Sequence, residues 1–187
     1  MKTEAICLLN ILLFSAFISE APRNGQQTEG LFEQPLLITS AGQNAEVQIA
    51  AVLAKRAGLN YTLSKQATAA ELQNIKTLVL VLGASLKGLG AAGLDMEKEK
   101  ERVMALIAEA HQTGISLLCL HLGGEARRGP QTDELIAEVL PRAKMLIVVR
   151  SGNTDGFFTR LCQSQAIPLI EVEKTADAQA PLEKAFK

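Results

Sequence analysis

The segment TLVLVL (Thr77–Leu82) has no polar residue after its first position. A strand with one face in water alternates apolar and polar side chains, whereas a strand covered on both faces reads as an unbroken apolar run. TLVLVL is therefore expected inside a sheet that carries helices on both sides. ISLLCLH (Ile115–His121) and MLIVV (Met145–Val149) read the same way. LNYTLS (Leu59–Ser64) and PLIEVE (Pro168–Glu173) alternate, as half-exposed edge strands do. LLITS (Leu36–Ser40) completes a set of about six strands.

Helical patterns separate these strands, near Asn44–Ala57, Thr68–Gln73, Asp95–Thr113, Thr132–Leu140 and Asp155–Gln165, with a last one near Ala178–Phe186. Such alternation predicts βαβ crossovers and a mostly parallel sheet. Edges at the second and sixth strands fit the order 2-1-3-4-5-6. The other common doubly wound order, 3-2-1-4-5-6, would put TLVLVL at an edge, against its composition. The expected class is α/β: a three-layer, doubly wound, flavodoxin-like or Rossmann-like sheet. In the longest helix Asp95 is placed to cap the N-terminus and Gly114 to end the chain's helical course. The run MEKEKER (Met96–Arg102) reads as a solvated helix face.

Length and composition agree. The chain has 187 residues, 48% hydrophobic and 21% charged, which suits one globular domain. It has no Trp and one Tyr (Tyr61), so its core must come from Leu, Ile, Val and Ala. Met1-Lys2 precedes an apolar run, AICLLNILLFSAF (Ala5–Phe17), followed by the small residues Ser19 and Ala21. This reads as a secretory signal peptide over residues 1–21, cleaved near Ala21, with an uncleaved membrane anchor as the alternative. Residues 22–34 read as a polar linker and 35–187 as the single α/β domain. Removing residues 1–21 takes away Lys2, Glu4 and Glu20 and leaves a formally neutral domain. Without basic clusters or interleaved aromatics, nucleic acid is not an expected partner. Cys119 and Cys162 are expected as buried thiols rather than a disulfide.

In a sheet of this order, ligands bind beyond the carboxyl ends of the strands, where the order reverses between the first and third. Four loops on that rim are rich in Gly, polar and charged residues: Ser40–Asn44, Gly83–Leu94, Leu122–Gly129 and Arg150–Gly156. The opposite rim is short and plain. Glycines let backbone N–H groups approach a ligand, and Lys87, Arg127, Arg128 and Arg150 add positive charge. The expected ligand-binding set is Ser40, Gly42, Gln43, Ser85, Lys87, Gly88, Gly90, Gly124, Glu125, Arg127, Arg128 and Asn153.

Gly88-Leu-Gly90-Ala-Ala-Gly93 matches the dinucleotide pattern G-x-G-x-x-G but fails its context. Gly88 follows strand-end Leu82 by several residues, the helix cap is Asp95, and the next strand ends in His121-Leu-Gly-Gly rather than an acid. The Walker pattern fails as well, since Leu89 follows Gly88. No nucleotide or other cofactor is expected, and no His, Cys and carboxylate spacing suggests a metal. No G-x-S-x-G elbow surrounds Ser40, Ser85 or Ser151. The available catalytic set is Ser40 or Ser85, His121, and Glu125 or Asp155.

The segments TSAGQNAE, SLKGLGAAGLD, GGEARRG and GNTDGFF resemble those of a family of uncharacterised exported bacterial proteins, a domain of unknown function. The resemblance runs from Pro35 to Phe186. It implies a small Rossmann-like domain behind a signal peptide in a bacterial envelope, and no activity. The sequence thus favours an exported domain that holds a small polar or anionic ligand, with a membrane transporter or sensor as its partner. A hydrolase or transferase using the same rim is the first alternative, and a protein-interaction domain the second.

Overall fold

A computed structural model describes residues 28–186. The expected signal peptide and the first part of the expected linker lie outside them. Six strands form one sheet: β1 (Leu36–Ala41), β2 (Tyr61–Leu63), β3 (Thr77–Leu82), β4 (Ser116–His121), β5 (Met145–Val149) and β6 (Leu169–Val172). All pairs are parallel and the order is β2-β1-β3-β4-β5-β6. Every residue of β3 is buried, as its unbroken apolar run requires, while β2 and β6 are largely half-exposed edges.

Because side chains alternate across a strand, each buried strand feeds two cores. Leu37, Leu78, Leu80, Cys119, Leu146 and Val148 point to one face. There they meet Val103, Leu106 and Ile107 of the long helix α3 (Met96–Gln112), and Leu135 and Phe158 of α4 (Pro130–Val139) and α5 (Phe157–Ser164). Leu36, Ile38, Val79, Val81, Leu118 and Ile147 point to the other face, covered by α1 (Glu46–Arg56) and α6 (Gln179–Ala185). α1 and α3 therefore leave β1 and β3 toward opposite faces, which places the reversal of the sheet between these two strands. The two described cysteines are free and buried, and burial pushes the Cys162 thiol up to about 11.

Three local features depart from the sequence reading. LKGLGAA (Leu86–Ala92) is a two-turn helix, α2, rather than loop. Ser85 Oγ accepts from Gly88 N at its start, and Gly93 ends it at φ 70°. The stretch at Thr68–Gln73 is a short 3-10 turn, Ala69–Leu72. The described end of the expected linker is docked. Gly30 N and Phe32 N donate to Lys184 and Ala185 carbonyls, and the Phe32 ring is buried against Phe186. An apolar side chain held in a core has no place in a free linker, so the fold includes the described residues from Gly30 on.

Candidate functional site

The charged run at the head of α3 carries the largest correction. Asp95 caps the helix as expected, accepting from Lys98 N at 2.8 Å. Two residues of MEKEKER, however, turn inward: Glu99 is 0% exposed and the Arg102 side chain 13%. Glu99 accepts from Gly42 N at 2.8 Å and from Gln43 Nε2 at 3.1 and 3.0 Å. Arg102 closes the pair through Nε and Nη2 at 2.9 and 2.8 Å, and donates to the Ala67 and Ser40 carbonyls. A buried carboxylate needs such partners, since an unpaired charge in a core is strongly destabilising. The network pins the β1–α1 loop from beneath.

That loop is otherwise strained. Gly42 sits at φ 110° and Gln43, a non-glycine, at φ 54° in the left-handed region. The Glu99 bonds hold Gln43 there. Across the sheet reversal, Gly83 N donates to Ala41 O and Ser85 N to Gly42 O, at 3.0 and 2.8 Å. The contact admits no side chain, because a Cβ on Gly42 would lie 2.4 Å from Gly83 O. Gly88 packs equally close, its Cβ position 1.9 Å from Gln43 O. Of the G-x-G-x-x-G glycines, the second, Gly90, faces open space, while the first, Gly88, seats α2 on the β1–α1 loop.

Above this floor lies a crevice of about 520 Å³. It is lined by Gln43, Asn44 and Ala45 after β1, Lys65 and Gln66 after β2, the cap residue Ser85 with Lys87, Gly88, Ala91 and Ala92 of α2, and Arg127. Its size falls within the range of small-molecule sites. No carboxylate lines it. Arg127 is paired, its Nε donating to both Glu46 oxygens at 3.0 and 2.9 Å. Lys65 and Lys87 form no ion pair with any described residue. The Lys65 carbonyl accepts from Thr39 Oγ1 and Gln43 Nε2, which ties that side to β1.

The expected ligand-binding residues therefore divide. Gln43, Ser85, Lys87, Gly88 and Arg127 line the crevice. Ser40 and Gly42 lie in its foundations; Ser40 is fully buried and its Oγ accepts from Asn44 N at 2.9 Å. Gly90 is on the exposed side of α2. Gly124, Glu125, Arg128 and Asn153 belong to the other half of the rim. There Arg128 engages Asp133 and Asp155 in paired bonds, adds the Gly152 carbonyl, and lies 4.4 Å over the Phe157 ring. All five of its N–H groups are used. Asn153 is equally committed, accepting from Phe158 N and Thr159 N and donating to Thr159 Oγ1 and Glu171 Oε2. Arg150 pairs with Glu171 and Glu173. Glu125 is exposed on a 3-10 turn (Gly124–Arg127).

The expected catalytic set does not meet. His121 is fully buried, with Nδ1 3.1 Å from Leu82 O and Nε2 3.0 Å from Gly124 O, and neither nitrogen faces a serine or an acid. Burial pushes its pKa down, partly countered by those two carbonyls. Ser85 Oγ is the cap of α2, and Asp155 is held at about 2, chiefly by the Arg128 guanidinium. Lys65 and Gln66 lie outside the four expected rim loops, and Asn44, in the first of those loops, is not in the expected ligand-binding set. In a parallel sheet the segment after β2 must emerge on the same rim as the others, and that signal was available for Lys65.

A family profile described as domain of unknown function DUF6305 matches residues 33–186, and the chain belongs to that family. No curated protein matches it. Among solved structures it is similar to a G-D-S-L family protein from Desulfitobacterium hafniense DCB-2 at 13% identity, covering 73% of this chain and 75% of that one, with a TM-score of 0.34. It is similar also to a GDSL-like lipase from Bacteroides thetaiotaomicron VPI-5482 (9% identity, 73% and 66% coverage, TM-score 0.34). A third is AlinE4, an SGNH-hydrolase family esterase (14%, 78% and 77%, 0.31). Likeness at this level transfers no activity. Among the described residues no helix is long and apolar enough to cross a membrane.

Proposed function

We propose that the domain binds a small anionic ligand in the crevice between the β1–α1 loop and α2. One observation carries this reading: Lys65, after β2, and Lys87, on α2, both line a crevice that holds no carboxylate, and neither pairs with a described acid. Two ammonium groups in an acid-free cleft repel each other, and an anion beside both relieves that repulsion. The N-terminal apolar run fits an exported domain of the bacterial envelope. In that setting the ligand would pass to a membrane transporter or sensor.

A thermal-shift screen of carboxylates, phosphates, sugars and nucleotides tests the reading. A ligand at a hundred times its dissociation constant stabilises the fold by about 2.7 kcal/mol. The double variant Lys65→Ala/Lys87→Ala is expected to lose that shift while its own stability stays within about 0.5 kcal/mol of the parent. Retention of the full shift in the double variant would place the ligand elsewhere.

A further inference from the structure

Arg127 lines the crevice, and its surroundings hold it in one attitude. Its stem packs where two glycines leave room. A Cβ on Gly83 would lie 2.9 Å from Arg127 Cβ, and one on Gly123 would lie 2.1 Å from Arg127 Cγ. Further out, Nε donates to both oxygens of Glu46, at 3.0 and 2.9 Å. Neither Nη1 nor Nη2 of Arg127 donates to a described residue. The terminal nitrogens of Arg102 and Arg128, by contrast, are all engaged by carboxylates or carbonyls. Gly83, Gly123 and Glu46 do not line the crevice, so the end of the guanidinium is the part of Arg127 left to face it. With a carboxylate on Nε, the Nη edge keeps a pair of parallel N–H groups for two oxygens of one anionic group.

Resting on the anion-binding reading above, we infer that Arg127 takes two oxygens of the ligand end-on and that Glu46 positions it to do so. The ligand is then a small dianion with an oxyanion group at each end, of the dicarboxylate type. Charge sets this class. Glu46 balances Arg127, whereas Lys65 and Lys87 have no described counter-charge, so two negative charges bring the crevice to neutrality. Placement sets the shape. Lys65 follows β2 and Arg127 follows β4, and the order β2-β1-β3-β4 puts three strand intervals between them, roughly 14 Å. Cations drawn from loops that far apart suit a ligand charged at both ends better than one with both charges on a single group. The guanidinium is planar and receives its two oxygens from a fixed direction, which a lysine in its place would not do.

Calorimetric titration of the full chain with succinate, butyrate and propyl phosphate tests this. Butyrate lacks one of the two carboxylates, and propyl phosphate in mildly alkaline buffer carries both charges on one group. Succinate is expected to bind about tenfold more tightly than either. Arg127→Lys keeps the charge and loses the fork, and should weaken succinate about tenfold. Glu46→Ala should weaken it about threefold, although the change makes the crevice more positive, because the guanidinium is no longer held. Glu46→Gln, whose side-chain carbonyl can still accept from Nε, should restore binding at least to that of the parent. If charge alone held the ligand, Arg127→Lys would match the parent and Glu46→Ala would bind more tightly. Either result would overturn the roles of Arg127 and Glu46 and leave anion binding standing. Butyrate or propyl phosphate matching succinate would overturn the two-ended class. Should a variant not fold, the Arg127 side-chain N–H signals of the unmodified protein decide by NMR: they should move on adding succinate, and unmoved signals would count against the contact. If none of the three compounds binds, the inference fails. A thermal shift from some other anion, lost in the lysine double variant, would then show the anion-binding reading intact.

Discussion

Arg128 and Lys87 stand on the same rim of the same sheet, and their surroundings are opposite. Arg128 sits among two aspartates, a carbonyl and two phenylalanine rings, with every N–H engaged. Lys87 borders a cleft without acids. The planar guanidinium suits fixed, multivalent bonding, and the ammonium suits a mobile partner. On this rim the arginine half serves architecture, and the lysine half carries the cleft proposed for the ligand. Sign of charge alone says little about function; the number of partners already present says more.

The comparison can be broken most severely from below. Glu99→Ala leaves Arg102 without its carboxylate and frees the Gly42–Gln43 loop, with an expected loss of about 3–5 kcal/mol by urea denaturation. Glu97→Ala, two residues away and exposed, should change stability by no more than about 0.5 kcal/mol. Equal losses would mean that α3 does not brace the crevice. Arg128→Ala should destabilise by about 2–4 kcal/mol, less than a fully buried pair because Asp155 is more than half exposed. It should leave ligand affinity in the crevice unchanged, and a large loss of affinity would erase the distinction between the two halves.

Within the glycine pattern the two halves of a finer comparison diverge in sign. Gly88→Ala should destabilise by about 1–3 kcal/mol, because its methyl meets Gln43 O. Gly90→Ala should stabilise by about 0.5–1 kcal/mol, since its site is open and alanine favours helix. Titration gives the smallest effects. His121 is lowered by burial, so the unfolded chain takes up its proton first, and stability should begin to fall as pH drops below about 6.5. Asp155 is also lowered, to about 2, so its contribution stays whole above its ordinary value and fades only as pH falls from about 4 toward 2. Measured stability should show the first decline in Arg128→Ala and lack the second.

Much of the fold was legible because burial on two faces leaves a mark in composition. The apolar runs of β3, β4 and β5 and the alternation in β2 and β6 were enough to order the sheet. The rim was legible as a region, since glycine-rich loops fell after β1, β3, β4 and β5. What a single sequence withheld was partnership. Glu99 and Arg102 look like their solvated neighbours until β1 is folded against them. Arg128 reads as a free cation until Asp133 and Asp155 arrive from elsewhere in the chain. LKGLGAA has poor helix propensity, and its helix depends on the Ser85 cap and on packing that only Gly88 permits.

The close seam between Gly42 and Gly83 also bears on time. Its hydrogen bonds join the β1–α1 loop to the segment that leads into α2, and Gly88 locks α2 onto the same loop. Elements joined so closely have no hinge between them, so a ligand at the proposed site would enter and leave without α2 lifting from the loop. Residence then follows affinity alone, with no gating step to slow it. Occupancy of the proposed site would track the surrounding concentration without lag, the behaviour of a gauge more than of a store.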